Sequence, residues 1–441
     1  MTIRRSVLVG ALKVVGALTL YYAALVCLLL TVGMGEDIFG PAQSLPGRVL
    51  GGLCVALIGG LPLAITGARR TTISTLFITF QLAFVHVPSC ALCAVHEGLP
   101  LSFALMTAGL LASIGLLPRP VGKVLQLRFS LALRLALAAP LVGLFAYAAW
   151  VFAGAVLGSH FSFASVFDLD ALYEYRAEIF AKYRARELTA LSVVGYFIVP
   201  ALMIAAAHAR RWTVVALLLA PVLLLYGVTG MKAYLAVPGF AVVTYLMART
   251  FRVANFLSGF LALLLAVLVG AGAVGVYLAS PWPLALTFSR GVMAPGQLHL
   301  VYGQYFAHSA RISIWELPSS TLPGRGGLTS AELVHRNVFG GNVGQGEGAN
   351  TGMIGTAFAV YGYVGVLAHS AVMLVLLAFL DDRLRRRPSS ILPFAAIPSL
   401  FLVTNIDLLS AFFYFGLGLT VVSTAALSRR GSRLPQPAEA R

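Results

Sequence analysis

The sequence predicts an all-α polytopic membrane protein, with a single integral membrane domain covering residues 1–441. Hydrophobic residues make up 59% of the 441 residues and charged residues only 10%, which is too little charge to keep a domain of this size in solution. Apolar runs of about 18 residues or more recur along the chain, and each is long enough to cross a bilayer as a helix. Barrel strands would be shorter and would alternate, so we expect helices.

The apolar runs divide the chain into about twelve predicted transmembrane helices. Their approximate ranges are 8–32, 49–67, 74–94, 101–117, 135–157, 190–207, 213–228, 233–248, 256–279, 352–378, 390–405 and 408–427. The first run is too long for a signal peptide and has no small-residue cleavage site, so we expect a retained helix. Residues 428–441 are predicted to form a disordered cytoplasmic tail.

Charge separates the two sides of these predicted helices. The alternate segments that include both termini hold 21 of the 31 basic residues and three of the 15 acidic residues. The opposite segments hold the other ten basic and twelve acidic residues. The positive-inside rule places the first set, and both termini, in the cytoplasm. The net charge of +16 is then a topology signal and an attraction to membrane lipids, and no nucleic-acid partner is expected.

Four cysteines, Cys27, Cys54, Cys90 and Cys93, lie inside predicted spans. Cys90 and Cys93 have the CxxC spacing of some redox and metal sites. Their apolar surroundings favour small core residues, so we predict neither a disulfide nor a metal site.

Two segments on the predicted outer side are much longer than connectors need to be. Residues 280–351 form a large loop rich in Pro, Gly and polar side chains, and loops of that length are usually functional. Residues 158–189 are predicted to hold an amphipathic helix with Arg176 in the middle of its apolar face and Arg184 at the edge of that face. These arginines either snorkel from a helix at the membrane interface or border an anionic substrate.

Basic residues on the predicted outer side are the main candidates for binding an anion. Arginine suits phosphate because its planar guanidinium group binds two oxygens and stays charged. The candidates are Arg176, Arg184, Lys232, Arg290, Arg311 and Arg336. Arg290 is the strongest, because no acidic residue lies within twenty positions of it and it follows a predicted membrane exit.

Several motifs in the second half resemble the O-antigen polymerases of the Wzy type, which join oligosaccharide repeat units in bacterial inner membranes. They are Ser289-Arg290, Pro295-Gly296, Tyr302-Gly-Gln-Tyr305-Phe306, Glu347-Gly-Ala-Asn350-Thr-Gly352 and Tyr361-Gly362-Tyr-Val-Gly365. The layout of some twelve spans with two large outer loops is similar too. The spacing from Arg184 to Gly195 also matches some members, whereas Arg290 has Val301 at the same distance.

This resemblance implies a GT-C-like glycosyltransferase with its two large loops in the periplasm. Its donor is a growing glycan on undecaprenyl pyrophosphate, its acceptor is one repeat unit on the same carrier, and a chain-length regulator protein is a further partner. No cofactor or metal is needed, and the sequence has no phosphate-binding GxxxxGK[ST] loop. The product would be O-antigen, capsule or another surface polysaccharide.

The implied reaction assigns roles to particular residues. Cations must neutralise the pyrophosphate as it leaves, and Arg290 and Arg184 are favoured, followed by Arg336, Lys232 and Arg176. A base for the acceptor hydroxyl is sought among His299, His308 and His335, of which His335 is preferred. The resemblance adds Asn350 to the glycan-binding residues. Tyr302 and Tyr305 either stack on sugars or anchor the chain at the interface.

Three other functions are open at this point. Glu36-Asp37 and Asp168-Leu-Asp170 suit a GT-C enzyme that uses a polyprenyl-phosphate sugar and a divalent cation, although Asp168 and Asp170 also suit a helix N-terminus. An O-antigen ligase shares the general layout. A glycan exporter or flippase is the alternative of another class, but the predicted spans contain almost no acidic residue and no internal repeat is found.

Overall fold

The protein is all-helical within the part of the chain that the structure describes. This computed structural model describes residues 2–32, 39, 41–43, 45–99, 101–118, 121, 130–158, 169–280, 283–284, 287–309, 330–340 and 351–427. Regular structure in these ranges is helical except for one isolated bridge between Arg70 and Arg252. The predictions for the 428–441 tail and for Glu36, Asp37, Asp168, Arg311 and Asn350 lie outside these ranges.

Sixteen helices, numbered in chain order, make up most of the described structure. They are α1 Thr2–Val32, α2 Pro46–Thr66, α3 Ile73–Val95, α4 Leu101–Leu116, α5 Leu131–Gly158, α6 Leu169–Lys182, α7 Ala185–Val193 continuing through Val199–His208, α8 Trp212–Thr229, α9 Lys232–Thr250, α10 Val253–Tyr277, α11 Ala294–His308, α12 Ser330–Phe339, α13 Met353–Arg386, α14 Leu392–Leu402, α15 Leu408–Phe413 and α16 Leu417–Ala426. Short π-helical turns lie in α3, in α7 and just before α11, at Leu82–His86, Val194–Ile198 and Thr287–Met293.

The long helices confirm a polytopic membrane protein. Among the described residues, nine helices are long and apolar enough to cross a membrane, namely α1, α2, α3, α5, α7, α8, α9, α10 and α13. They coincide with nine of the predicted spans. The three other predicted spans coincide with α4, α14 and α16, apolar helices of 10–17 residues that are shorter than an ordinary span. The count of twelve spans therefore stays a prediction.

Helix α3 is the centre of the bundle. All of its residues from Ile73 to Val95 are buried, as expected for a helix that is apolar on every side. Phe80 contacts the rings of Phe240, Phe260 and Phe401, which come from α9, α10 and α14, at centroid distances of 5.4–6.2 Å. The first residues of α3 carry no acidic side chain of their own to receive their free N–H groups.

A buried carboxylate from α13 caps the start of α3. Asp381 Oδ1 accepts from the N–H groups of Ile73 at 2.7 Å and Ser74 at 3.2 Å, and its Oδ2 accepts from Ser74 Oγ at 2.5 Å. The charge pattern predicts Asp381 in a cytoplasmic segment, but α13 continues through it and buries it. A negative charge at a helix N-terminus is favourable, so Asp381 fixes α13 against α3.

Replacing Asp381 should therefore destabilise the bundle. We expect Asp381→Ala to lower the free energy of unfolding by about 2 kcal/mol, because it leaves buried N–H groups without an acceptor. The adjacent Asp382→Ala is the matched control. Asp382 pairs with Arg386 at 2.7 Å on the surface, and its loss should cost about 0.5 kcal/mol. Equal losses for the two variants in chemical unfolding would contradict the capping role.

Helix α13 is sharply bent near its start. Tyr361 and Gly362 leave the helical conformation, and Gly362 has a φ of 61°, which favours glycine. The bend brings Gly365 against the carbonyl oxygen of Ala357, so close that an added Cβ would lie 2.3 Å away. The predicted span 352–378 is therefore not one straight helix, because the bend at Tyr361 and Gly362 divides it.

Part of the predicted 280–351 loop is a helix packed into the bundle. Helix α11 buries Gly296, His299 and Tyr302. Gly296 lies against α3, because an added Cβ would lie 2.7 Å from Pro88 Cβ and 2.9 Å from the backbone of Ser89 and Val85. At the other end of α11, Gln304 Nε2 donates to the carbonyl oxygen of Gly98, beyond the end of α3. The segment before α11 is thereby held beside the middle of the bundle.

Candidate functional site

The candidate site is built around the tight turn between α8 and α9. Helix α8 ends at Thr229, Gly230 adopts the left-handed conformation with a φ of 65°, and α9 begins at Lys232. Few residues other than glycine adopt this conformation readily, so Gly230 permits the turn. The turn lies at the end of the bundle that the charge distribution predicts to be the outer one.

Helix α6 lies over this turn and contacts its carbonyl groups. Arg176 donates from Nε and Nη2 to the Gly230 carbonyl oxygen at 3.1 and 3.0 Å. Tyr175 Oη lies 2.7 Å from the carbonyl oxygen of Gly227 and 3.1 Å from that of Val228. The last carbonyls of a helix attract cations, so Arg176 stabilises the end of α8. It is half-buried against protein, where the sequence predicted either an interfacial position or a substrate contact.

Three cations from distant parts of the sequence lie within electrostatic range of one another here. The Lys232 ammonium lies close enough to Arg176 and Arg290 for the charges of both to act on it. Arg290 belongs to the π-helical turn before α11, and its side chain is exposed. We call Arg176, Lys232 and Arg290 the cationic cluster. All three are residues that the sequence suggests for anion binding, and the fold brings them together.

Two aromatic side chains, from α7 and α9, lie near Arg176 of the cationic cluster. The Tyr196 and Tyr234 rings lie 4.8 Å apart, and Tyr196 is near enough to Arg176 to interact with its charge. The Tyr234 hydroxyl lies 3.2 Å from Ser192 Oγ. Gly195 faces the Tyr234 ring, which an added Cβ would approach to 2.3 Å. Gly195 is thus needed for packing, whatever its spacing from Arg184.

The start of α9, with Lys232, is offset along the bundle from the start of α7. Tyr234 contacts Ser192 and Gly195, which lie seven to ten positions into α7. At 1.5 Å per residue, the start of α9 is roughly 10 Å below the start of α7 along the helix axis. Helix α6 covers the turn from above.

The site suits an anion better than a metal ion. Three positive charges held together repel one another, and an anion with several oxygens relieves that repulsion. Among the described residues, no group of three or more His, Cys, Asp or Glu side chains has an arrangement that holds a metal. A phosphate or pyrophosphate group matches the charge and the donors of the cationic cluster.

The other predicted site residues lie elsewhere. Arg184 is exposed just before α7, and its backbone N–H donates to Glu187 Oε2 at 2.8 Å. Arg336 is exposed on α12, where His335 is half-buried with its ring 6.4 Å from that of Phe339. Asn337 Nδ2 donates to Tyr305 Oη at 2.7 Å, which joins α12 to α11.

Two candidates from the predicted loop are core residues. Tyr302 is fully buried, so its ring has no exposed face for a sugar, and the predicted stacking role does not fit. His299 is buried too, with Nε2 at 2.9 Å from Thr107 Oγ1 and its ring 4.7 Å from that of Phe103. A histidine enclosed in this way cannot reach an acceptor hydroxyl. The sequence predicts both residues to be accessible, because it predicts a loop where α11 lies.

We compared the chain with protein-family models, with curated proteins and with solved structures. No family model matches the sequence, and neither the curated proteins nor the solved structures contain a significant match. The fold defines the class, an all-α polytopic membrane protein with a cationic cluster at one end of the bundle.

Proposed function

We propose that this chain is a glycosyltransferase that joins undecaprenyl-pyrophosphate-linked oligosaccharide repeat units into a long surface polysaccharide. The observation that carries the proposal is the cationic cluster, because a pyrophosphate carrier must be held and neutralised while it leaves. The resemblance of the Arg290 and Asn350 regions to O-antigen polymerases supports the same function. The proposal includes a bacterial inner membrane, twelve spans in a GT-C-like arrangement, both termini in the cytoplasm and the cationic cluster at the periplasmic side.

The reaction transfers a glycan from one lipid carrier to a sugar hydroxyl. The acceptor oxygen attacks the anomeric carbon of the donor, the bond from that carbon to the pyrophosphate oxygen breaks, and undecaprenyl pyrophosphate leaves with the electron pair. The acceptor proton passes to a base. His335, the base preferred from the sequence, lies on α12 and is not among the residues that the structure brings to the cationic cluster. Positive charge near the leaving oxygen stabilises the transition state more than the ground state.

The three cations have different parts in this scheme. Arg290 is exposed and carries a planar fork for two phosphate oxygens. Lys232 supplies a compact charge at the start of α9. Arg176 is held by the Gly230 carbonyl oxygen, so it contributes a fixed positive charge and positions the turn that carries Lys232.

The lengths of surface glycan that the native host makes after deletion of the gene test this function. In the native host, we expect deletion to collapse the ladder of surface glycan lengths to a single repeat unit, and the wild-type gene to restore it. A ladder that persists on the lipid carrier but is absent from the cell surface would mean a ligase or an exporter. Loss of one sugar from every repeat unit would mean an enzyme that uses a polyprenyl-phosphate sugar. Either of these results would overturn the polymerase proposal.

A further inference from the structure

A groove between α1 and α10 lies at the arginine-rich end of the bundle, opposite the cationic cluster. Its volume is about 480 Å³, and its lining includes Lys13, Gly16 and Leu20 of α1 and Asn255, Ser258 and Leu265 of α10. Leu20 and Leu265 are exposed or half-buried, as side chains that face lipid are. The proposed glycosyl transfer does not use this groove.

The groove is polar at one end and apolar at the other. Lys13, Asn255 and Ser258 lie near the ends of their helices at the arginine-rich side. Leu20 lies seven residues further along α1, and Leu265 lies ten residues beyond Asn255 along α10, which is roughly 10 and 15 Å. A molecule with a polar head and an apolar chain matches this order.

Lys13 places a positive charge at the depth of lipid headgroups. Gly10, one turn earlier in α1, packs against the backbone of Gly67 and Ala68, just beyond the end of α2. Lys13 is therefore about one turn inside the helix ends. Its Nζ donates to Asn255 Oδ1 at 2.9 Å, and among the ion pairs of the described residues none involves Lys13. Two of its three N–H donors stay available for an anion.

Three arginine positions lie near the polar end of the groove. The Arg69 carbonyl accepts from the N–H of Val253 at 3.0 Å, and Arg70 and Arg252 form a backbone bridge. These contacts bring three arginine positions to the start of α10. Basic pockets between transmembrane helices bind anionic headgroups, and each cation near the membrane surface contributes about 1 kcal/mol.

We propose that the groove binds an anionic phospholipid. The headgroup phosphate accepts from Lys13 Nζ and from the amide of Asn255, while one acyl chain lies along Leu20 and Leu265. The lipid comes from the leaflet on the arginine-rich side, where it fills the gap between α1 and α10. This role is independent of the glycosyl transfer proposed above.

Native mass spectrometry of the full chain in detergent tests the lipid site. Phosphatidylglycerol and phosphatidylcholine with identical acyl chains are added, and inorganic phosphate serves as the headgroup without a tail. We expect one phosphatidylglycerol to bind at least about fivefold more tightly than phosphatidylcholine. Inorganic phosphate should not displace it, because the phosphate alone lacks the contacts along the groove.

Two variants test the charge of Lys13 and the open volume of the groove separately, and each has a control variant. Lys13→Gln should weaken phosphatidylglycerol binding about fivefold and thereby remove most of the preference for it over phosphatidylcholine. Gly16→Leu should weaken both, because an added Cβ meets nothing within 4 Å in the protein and the leucine side chain extends into the groove that Gly16 lines. Arg211→Gln removes an exposed charge that does not line the groove. Gly270→Leu is the control for volume, on an exposed and equally open position of α10.

The outcomes either support or overturn the site. Weakening by Lys13→Gln and Gly16→Leu, with both control variants unchanged, supports the site. Equal binding of the two lipids, or unchanged phosphatidylglycerol binding in Gly16→Leu, overturns it. If Lys13→Gln unfolds in lipid-free detergent, Gly16→Leu decides between these results, since it keeps every charge and contact of the wild-type groove lining.

Discussion

Arg290→Ala is expected to abolish polymer formation while leaving the protein folded. Removing one charged donor from a transition-state site typically lowers turnover by about 100-fold or more. The Arg290 side chain is exposed, so the free energy of unfolding should change by less than about 1 kcal/mol. The measurement is the length of glycan made by purified protein from lipid-linked repeat units, with expression and thermal unfolding checked in parallel.

Two further variants test whether the effect depends on the geometry of Arg290 and on its position. Arg290→Lys keeps the charge but loses the two-pronged geometry, and should retain part of the activity. Arg186→Ala removes another exposed arginine at the same predicted side, near the start of α7, and should leave activity unchanged. Inorganic pyrophosphate should inhibit the wild-type protein more strongly than it inhibits the Arg290→Lys protein. Full activity of Arg290→Ala would remove the cationic cluster from the mechanism.

Gly296→Leu is expected to cause the largest loss of stability. Even a Cβ at this position would lie 2.9 Å from the Ser89 nitrogen and from the Val85 oxygen, both backbone atoms that cannot rotate away. Helix α11 would have to move from α3, which also breaks the bond of 3.1 Å from Ser89 Oγ to the Gly296 carbonyl oxygen. We expect a loss of about 3 kcal/mol in the free energy of unfolding. Activity should fall too, because Arg290 directly precedes α11.

Gly291→Ala is the matched control for this variant. Gly291 is exposed in the turn just before α11, and an added Cβ there meets nothing within 4 Å. Its unfolding free energy should stay within about 0.5 kcal/mol of the wild type. If Gly296→Leu unfolds at the same denaturant concentration as Gly291→Ala, α11 is not packed on α3 as the structure has it.

The positions and contacts of several residues at or near the site could not be predicted from the sequence, and the structure shows why. Tyr175 stands beside Arg176, but no sequence pattern singles it out, because its partners are backbone carbonyls of Gly227 and Val228, some fifty residues away. Tyr302 and His299 look accessible in the sequence, since α11 is polar enough to resemble a loop. The burial of α11 depends on Gly296, whose close approach to α3 cannot be predicted from the residue itself.

The bend of α13 could not be predicted from the sequence either. An apolar run predicts a span, but the run from 352 to 378 contains Gly362, and a glycine within an apolar run does not reveal whether it bends the helix. The sharp turn follows from the positive φ of Gly362 and from contacts of Gly365 with Ala357. Local pattern indicates that a helix exists and leaves its direction open.

Composition by itself determined that this chain is a helical membrane protein, because lipid admits few other ways to satisfy the backbone of long apolar runs. The charge distribution pointed to Arg176, Lys232 and Arg290 for anion binding, but equally to Arg184, Arg311 and Arg336 on the same predicted side. Only the tertiary structure decided that the first three lie within electrostatic range of one another, that Arg184 lies apart, and that Arg176 is held by the α8 carboxyl end. The physical reason is that charge and hydropathy act residue by residue, whereas proximity depends on how helices distant in sequence pack against one another.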